Sequence, residues 1–412
     1  MGVTRFKTIV LKDKKLNEAL KTSPPSNVEG VSLDMNGNIH AVLGMVYGYN
    51  FPYTYSDAKK KRELEKIKIL FQENPDLIKD EFFAKLSDKL KEIINTLKPK
   101  QYFIIAVDGV ANAAKGNQQK GRRYKKDLML INSEDEPMFN TSEVSTGTNF
   151  MVEVSAFFEK WIKENNKFLP KIVIYSSHLV KGEGEHKIFD ILRSSPIEEG
   201  NGAHVVIGLD ADLCMLSSLC PFENVVLVRE NYKDVVDISI LRTKLKGIML
   251  KTWPNVKSSE DIKIRNKLLI QDFCLLTFLM GNDFLPHTLA LEDVGKLFTL
   301  LDFYNEGRKH ITDINGNIQW EEFLFILEKL SEIEPELIQE IADKEWKFPS
   351  PLLDDIYKND EYDDKFLYFR TKWYNNALLP RNKNNLYPSI PVNVSTDEIF
   401  NMCESYIFGL QW

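Results

Sequence analysis

The sequence predicts an α/β fold in which a mostly parallel central sheet is flanked by helices. Short apolar runs typical of buried strands alternate along the chain with longer stretches of helical period. Three of these runs also end at, or just before, an aspartate. In a parallel sheet, ligands bind beyond these carboxyl ends of the strands. The predicted strands are residues 30–34, 102–107, 171–175, 204–209 and 224–228.

Helices are predicted between these strands. Residues 58–97 have a helical period, and Asn74-Pro75 begins a helix within them, because asparagine caps a helix and proline fits its first turn. The apolar stripe between Leu86 and Leu97 ends before Pro99. Further helices are predicted over 148–169, from about 186, and over 263–280.

We expect a core of residues 1–300 with a helical insertion at about 55–99, followed by a mainly helical region, 301–412, that packs on the core. Residues 311–322 resemble part of a calcium-binding loop. The first ligand position holds Ile311, whose side chain cannot bind calcium, so the segment predicts a turn before a helix. The last helices are predicted at 365–373 and 395–412.

Bulk composition limits the classes of protein to consider. The chain has 412 residues, 43% of them hydrophobic, which is enough for a large core and one or two domains. The net charge of -7 argues against a general binder of polyanions, so nucleic acid would need a local basic site. No apolar run approaches ~18 residues, which argues against a membrane span. The four cysteines lack metal-ligand spacing, which indicates a reduced, cytoplasmic protein.

Acidic residues are concentrated at the predicted strand ends. Asp34 ends one predicted strand, and Asp108 and Asp210 directly follow two others. A single acid at such a position is commonly a helix cap. A set of seven carboxylates at one edge is better explained by divalent cations, since crowded carboxylates otherwise repel one another. Oxygen ligands favour Mg²⁺ or Mn²⁺ over zinc, and such clusters typically perform two-metal phosphodiester hydrolysis. The other four acids are Glu183, Glu185, Asp212 and Asp283.

A basic segment follows Asp108. Lys115, Gln119, Arg122 and Arg123 stand at positions i, i+4, i+7 and i+8, so they share one face of a helix. The alternative is a solvated basic helix, as for most charge runs. Beside a metal cluster, this face would hold one phosphate while the metal ions act on its neighbour. A closed cavity of this kind would accept a monophosphate and reject a cap or triphosphate by size.

Six motifs, in order, resemble the Xrn-type 5′→3′ exoribonucleases. The resemblance implies a nuclease core of the PIN or flap-endonuclease type. It also implies processive, Mg²⁺-dependent hydrolysis, with two ions, of single-stranded 5′-monophosphorylated RNA to mononucleotides. The motifs are LDMNGNIH (33–40), VDGVANAAKGNQQKGRRYKK (107–126), TGTNFM (146–151), GEGEHKI (182–188), GLDADLCML (208–216) and GNDFLPH (281–287).

The resemblance also implies roles for individual residues. The seven acids match the family's metal ligands, and the four residues of the basic helix face match its pocket for the RNA 5′-monophosphate. His40 matches a histidine that stacks on the terminal base. The family also implies messenger RNA decay in the cytoplasm, with protein partners that deliver decapped RNA. Its pattern continues after GLQW (409–412) with a tryptophan that stacks opposite the histidine, so weaker substrate holding is expected here.

Two other functions are alternatives for a chain with these acids. A structure-specific flap endonuclease or DNA 5′ exonuclease would carry a glycine-rich hairpin soon after the last acid, but residues 284–297 contain no G-x-G. An inactive RNA-binding scaffold on the same fold would be expected to have lost acids, whereas all seven are present.

Overall fold

The computed structural model describes most of the chain, and its contacts divide it into two compact units. The first unit lies mainly within Leu11–Lys244 and the second mainly within Leu245–Trp412. The structure describes the residues given in the next sentence, and it describes their side chains except at 125–131, 294 and 351. The described residues are 6, 11, 13–51, 55–131, 138–208, 210, 212–229, 232–250, 258–282, 284–291, 293–344, 351–358, 362–378 and 394–411.

A seven-stranded sheet forms the centre of the first unit. Its order is β1-β7-β6-β5-β2-β3-β4, and the five strands from β6 to β4 are parallel. The predicted mostly parallel sheet is therefore confirmed, while the antiparallel edge made by β7 and β1 was not predicted. The strands are β1 (Leu20–Lys21), β2 (Val28–Asp34), β3 (Tyr102–Ala106), β4 (Ile172–Ser176), β5 (Ala203–Ile207), β6 (Val225–Val228) and β7 (Val235–Asp237).

Helices connect these strands, and side chains set where several of them begin. The side chain of Asn74 accepts the Asp76 N–H ahead of α3, and the side chain of Thr148 accepts the Met151 N–H ahead of α5. Proline at the first position of α3 confirms the predicted start. These helices are α1 (Met35–Val46), α2 (Asp57–Glu73), α3 (Pro75–Leu97), α4 (Ala113–Ile131), α5 (Asn149–Glu164), α6 (Gly184–Ser194), α7 (Leu213–Ser218) and α8 (Ile238–Met249).

The core of the first unit lies between the sheet and its covering helices. All five residues of β3 are buried. The apolar stripe of α3 and the aromatic face of α5 pack in the same hydrophobic cluster as β2 and β3. Burying one such leucine or phenylalanine contributes about 1.5–3 kcal/mol, so this packing fixes the sheet firmly.

The strand register brings the predicted acids to one edge. Leu33 of β2 pairs with Ile105 of β3 on one side and with Ile207 of β5 on the other. Because the three strands are parallel and adjacent, the residues that follow them emerge together. Asp34 ends the central strand, and the loops that carry Asp108 and Asp210 begin on either side of it.

The second unit is helical over the residues described. Buried Asp272 accepts hydrogen bonds from the Tyr304 hydroxyl (2.5 Å) and Thr312 Oγ1 (2.6 Å), which ties α9 to the loop after α10. The predicted turn before a helix is confirmed, since the Gly316 N–H donates to the Asp313 carbonyl (3.0 Å) ahead of α11. The helices are α9 (Ser259–Phe278), α10 (Leu297–Gly307), α11 (Trp320–Asp343), α12 (Pro351–Tyr357), α13 (Lys365–Leu378) and α14 (Thr396–Gln411).

No helix within the described part of either unit combines the length and apolar character that crossing a membrane requires.

Candidate active site

Most of the predicted acids converge at the carboxyl edge of the sheet. Five of them line one cavity of about 360 Å³, within the range of roughly 300–1,000 Å³ common for ligand clefts. Asp212 lies beside them, with a carboxylate oxygen within 4.8 Å of ligand atoms of Glu185 and Asp210. Asp283 lies outside the described residues. The five that line the cavity are Asp34, Asp108, Glu183, Glu185 and Asp210.

The helix-cap alternative fails for three of these acids. Asp34, Glu183 and Asp212 occupy the positions just before α1, α6 and α7, where a carboxylate usually accepts a backbone N–H. None of the three side chains makes such a bond. Their carboxylates are therefore directed to something other than the helix that follows them.

Gly184 holds the cluster together through a close backbone approach. Its N–H donates to Asp108 Oδ1 at 2.7 Å, and the Asp108 N–H donates to Asn36 Oδ1 at 3.0 Å. A Cβ atom at position 184 would lie 2.6 Å from Asp34 Oδ1, closer than real Cβ contacts allow. Gly184, the second glycine of the GEGEHKI motif, is therefore required by the packing of the carboxylates around it.

Burial and mutual repulsion disfavour ionisation within the cluster. Burial raises the pKa of Glu185 to about 10, and the charges of Asp212, Asp34 and Asp210 add to the effect. Burial also raises the pKa of Asp34 well above its usual range, with Asp108 contributing further. The pKa values of Asp108 and Asp212 are raised by burial as well, and the Gly184 N–H bond opposes the rise for Asp108.

Several carboxylate oxygens of the cluster have no hydrogen-bond partner within the described part of the chain, and they test whether cations fit the site. Both oxygens of Glu185, Asp34 Oδ1 and Asp212 Oδ1 are buried and unpaired among the residues described. An unpaired buried carboxylate is costly, and binding a divalent cation would remove that cost. Glu185, Asp210 and Asp212 offer one oxygen each within 4.8 Å of one another, an all-oxygen donor set that fits Mg²⁺ or Mn²⁺.

The predicted basic helix forms as α4, but its four polar residues are not placed alike. Gln119, Arg122 and Arg123 line the same cavity as the acids. Lys115 is only 4% exposed, and its Nζ lies 2.6 Å from Glu183 Oε2. The helix face thus presents two arginines and an amide to the cavity, while its lysine is paired with an acid of the cluster.

His40 lies at the rim of this cavity on α1, with its side chain exposed. Residues not predicted from the sequence also surround the site. His186 can supply a nitrogen within 4.8 Å of carboxylate oxygens of Glu183 and Glu185, and its position inside the GEGEHK motif was an available signal. Asn36 was likewise within a recognised motif. Thr141, Ser142, Val144 and Ser145 also line the cavity, but they precede the TGTNFM motif and carried no signal.

Lys187 supports the loop that leads to Glu183. Its side chain is 5% exposed and makes no ion pair among the residues described, and burial lowers its pKa to about 8. Its Nζ donates instead to main-chain carbonyls at the ends of β3 and β4 and in the loop that follows. The acceptors are the carbonyls of Val107 (2.6 Å), Ser176 (3.3 Å), Ser177 (2.8 Å) and Val180 (3.2 Å).

Most of the residues that form the site lie in a stretch that matches a known protein family. The family described as "XRN 5'-3' exonuclease N-terminus" matches residues 1–231, which is more than half of the chain. The chain belongs to this XRN family. The matched stretch contains six of the seven predicted acids, the four polar residues of the α4 face, and His40. Asp283 is the one predicted site residue beyond it.

Curated relatives within the XRN family are named 5'-3' exoribonucleases. The chain is 31% identical to 5'-3' exoribonuclease 1 of Schizosaccharomyces pombe over 268 residues, which cover 57% of this chain and 20% of that protein. Identity with the Saccharomyces cerevisiae protein is 29% over 269 residues, 57% of this chain and 17% of that one. The human protein is 27% identical over 388 residues, 84% of this chain and 21% of that one. The matches thus span about a fifth of the relatives' length.

One solved structure, the catalytic core of Rad2 in complex with a DNA substrate, covers all of this chain and 95% of that one. The sequence identity is 12% and the TM-score is 0.38.

Proposed function

We propose that this protein is a processive exonuclease that degrades single-stranded, 5′-monophosphorylated RNA from its 5′ end to mononucleotides. The observation that carries the proposal is that one cavity is lined by both the acid cluster and the two arginines of α4. The relatives are named exoribonucleases, which favours RNA over the DNA endonuclease alternative.

The order of groups in the cavity accounts for cleavage from an end. Arg122 and Arg123 supply charge and hydrogen bonds that match a terminal phosphate. Gln119 adds an amide one helical turn after Lys115, which is paired with Glu183 of the acid cluster. A phosphate fixed there would place a later phosphodiester bond at the carboxylates, so the chain is cut at a set distance from its end. A capped or triphosphorylated end is too large for the same position.

The carboxylates would hold the metal ions, which we propose are two Mg²⁺, with Mn²⁺ as a substitute. Glu185, Asp210 and Asp212 offer three oxygens within 4.8 Å of one another, and Asp34 at the end of β2 and Asp108 in the loop after β3 line the same cavity. Bound divalent ions would supply an activated water and neutralise charge on the attacking and leaving oxygens. The protein's own part is to exclude other water, orient the strand and hold the carboxylates close enough to share cations.

The proposal includes the setting that the family resemblance implies. We propose that the protein acts in messenger RNA decay in the cytoplasm, on RNA that partner proteins have decapped. The free monophosphate end is the chemical feature that such decapping creates and that the arginines would recognise.

The test uses 3′-labelled RNAs that differ only in the 5′ end: monophosphate, triphosphate, cap or hydroxyl. With Mg²⁺ we expect stepwise loss of the monophosphorylated RNA alone, and none with EDTA. Asp210→Ala or Asp212→Ala should abolish cleavage and leave RNA binding largely intact. Cleavage that survives in EDTA, or in either variant, would contradict metal catalysis at this cluster.

A second comparison tests the phosphate grip. The double variant Arg122→Ala/Arg123→Ala should lose the preference for a monophosphate over a hydroxyl end. Lys120→Ala is the matched control, because Lys120 is an exposed cation of the same helix that does not line the cavity. Equal loss of preference in the control would show a general effect of positive charge instead of a specific grip.

A further inference from the structure

Tyr49 folds back along the first helix toward His40. Directly after α1, the Asn50 N–H donates to the Gly44 carbonyl at 2.9 Å, and Gly48 turns the chain with a φ of +74°. The Tyr49 hydroxyl then donates to the main-chain carbonyl of His40 at 3.5 Å. The tyrosine therefore runs along the surface of α1, from the end of the helix to the residue that forms the cavity rim.

Gly44 makes room for this arrangement. Its place on α1 is one helical turn after His40, so the two positions lie on the same face. A Cβ atom at Gly44 would lie 2.5 Å from Asn50 Cβ and 3.2 Å from Tyr49 Cε2. The helix thus has a gap in its side-chain surface where the returning segment and the tyrosine ring are seated.

The ring is held in place yet presented to solvent. Tyr49 is 44% exposed, whereas Tyr47, two residues earlier, is 7% exposed and packs against Phe139 with 4.8 Å between ring centroids. Tyr47 therefore serves the core, and burial does not explain Tyr49. Because the ring is seated in the gap at Gly44, it loses little further conformational freedom when a flat ligand stacks on it.

We propose that Tyr49 is a base-stacking residue for RNA. Its ring would receive the base of the second nucleotide, next to the terminal base that is expected at His40. This inference rests on the proposed function and extends it beyond the terminal nucleotide. Stacking suits an enzyme that must move through any sequence, because every base offers a flat aromatic face. The ligand class is thus a nucleobase of single-stranded RNA, contacted without reading its edge.

The experiment measures dissociation constants by fluorescence anisotropy in an Asp210→Asn background with Mg²⁺. The probes are short 5′-monophosphorylated RNAs. Tyr49→Ala should weaken binding on the order of 10-fold, and Tyr49→Phe should retain the affinity because it keeps the ring. Phe168→Ala is the control, since Phe168 is an aromatic residue of the same unit that is 76% exposed and precedes β4, at the edge of the sheet opposite the acids. Loss in Tyr49→Phe equal to that in Tyr49→Ala would overturn a stacking role.

RNAs with one abasic nucleotide separate stacking from a structural effect. If Tyr49 stacks on the second base, the Tyr49→Ala penalty disappears when that base is missing and persists when the first or third base is missing. A penalty that persists on all three abasic RNAs, or disappears at another position, overturns the proposal. Because binding is measured without turnover, failure of the exonuclease activity in the parent protein would show separately in the cleavage assay.

Discussion

Lys115 Nζ lies 2.6 Å from Glu183 Oε2, and the two side chains are only 6% and 9% exposed. This buried ion pair joins α4, which carries the arginines, to the residue that precedes α6 in the acid cluster. The arginines of α4 and the acid cluster are therefore far apart in the sequence but linked by an ion pair in the fold. A change in one partner leaves an unpaired charge next to the other carboxylates.

The pair gives a stability prediction for the metal-free protein. Lys115→Met should lower the free energy of unfolding by about 3 kcal/mol, because Glu183 is left buried without its counter-charge. Adding Glu183→Gln should recover most of that loss, since the unpaired charge is then gone. Urea denaturation in EDTA measures both proteins. If the double variant were no more stable than the single one, the pair would not be the cause.

The buried position of Glu185 predicts that removing its carboxylate stabilises the metal-free protein. In the metal-free folded protein its pKa is about 10, whereas the unfolded value is near the ordinary 4.5. Between these values the unfolded chain releases a proton that the folded protein keeps, so stability falls as pH rises through this window. Glu185→Gln should therefore be more stable than the parent at about pH 8 in EDTA.

The same variant predicts a change in the response to metal. Mg²⁺ should raise the melting temperature of the parent more than that of Glu185→Gln, which has lost a ligand oxygen. Glu159→Gln, an exposed acid on α5, is the control and should behave like the parent in both media. A parent more stable than Glu185→Gln in EDTA across this pH window would contradict the burial argument.

The contacts of Lys187 predict that its loss lowers Mg²⁺ affinity as well as the stability of the fold. Lys187→Met should destabilise the fold and also weaken Mg²⁺ binding several-fold, because the loop before Glu183 loses its anchor. Arg242→Met is a matched control, since Arg242 is also a buried cation that donates to main-chain carbonyls, but at the end of α7 and in the loop between α7 and β6. The control should lose stability alone. Calorimetric Mg²⁺ titration at a temperature where both are folded distinguishes them.

Gly184 predicts a steric effect confined to the site. Gly184→Ala should reduce Mg²⁺ affinity and RNA cleavage at least 10-fold, because the new methyl group displaces Asp34 or breaks the Gly184–Asp108 bond. Gly116→Ala on α4 is the opposite case, because a Cβ atom at position 116 would meet nothing within 4 Å. It should leave activity intact and stabilise the helix by about 0.5–1 kcal/mol. Full activity in Gly184→Ala would argue against the tight packing.

The sequence predicted the parts of the fold that depend on hydrophobic periodicity and on helix-capping residues. Alternating strands and helices predicted the parallel sheet, and adjacent parallel strands bring their terminal acids together by geometry alone. The antiparallel edge was missed because β7 has three residues and β1 has two, too short for any periodicity. Asn74 and Pro75 predicted the start of α3, because capping is a local interaction.

The candidate site was less predictable where its details depend on tertiary contacts. Spacing placed Lys115 and Arg122 on one helix face, but it could not show that the lysine end of the face meets Glu183 in the interior. The role of Lys187 as a carbonyl anchor depends on where three chain segments meet. Tyr49 reaches His40 only because Gly44 lacks a side chain, a relation between positions that no periodic pattern records.

The strand order has a consequence for the protein during its own synthesis. β2 pairs with β5, so the central strand gains its second neighbour only after about 170 further residues have been made. Asp210 and Asp212 follow β5, and until they emerge from the ribosome the acid cluster is incomplete. The order of translation therefore delays assembly of the acid cluster until about half of the 412 residues have been made.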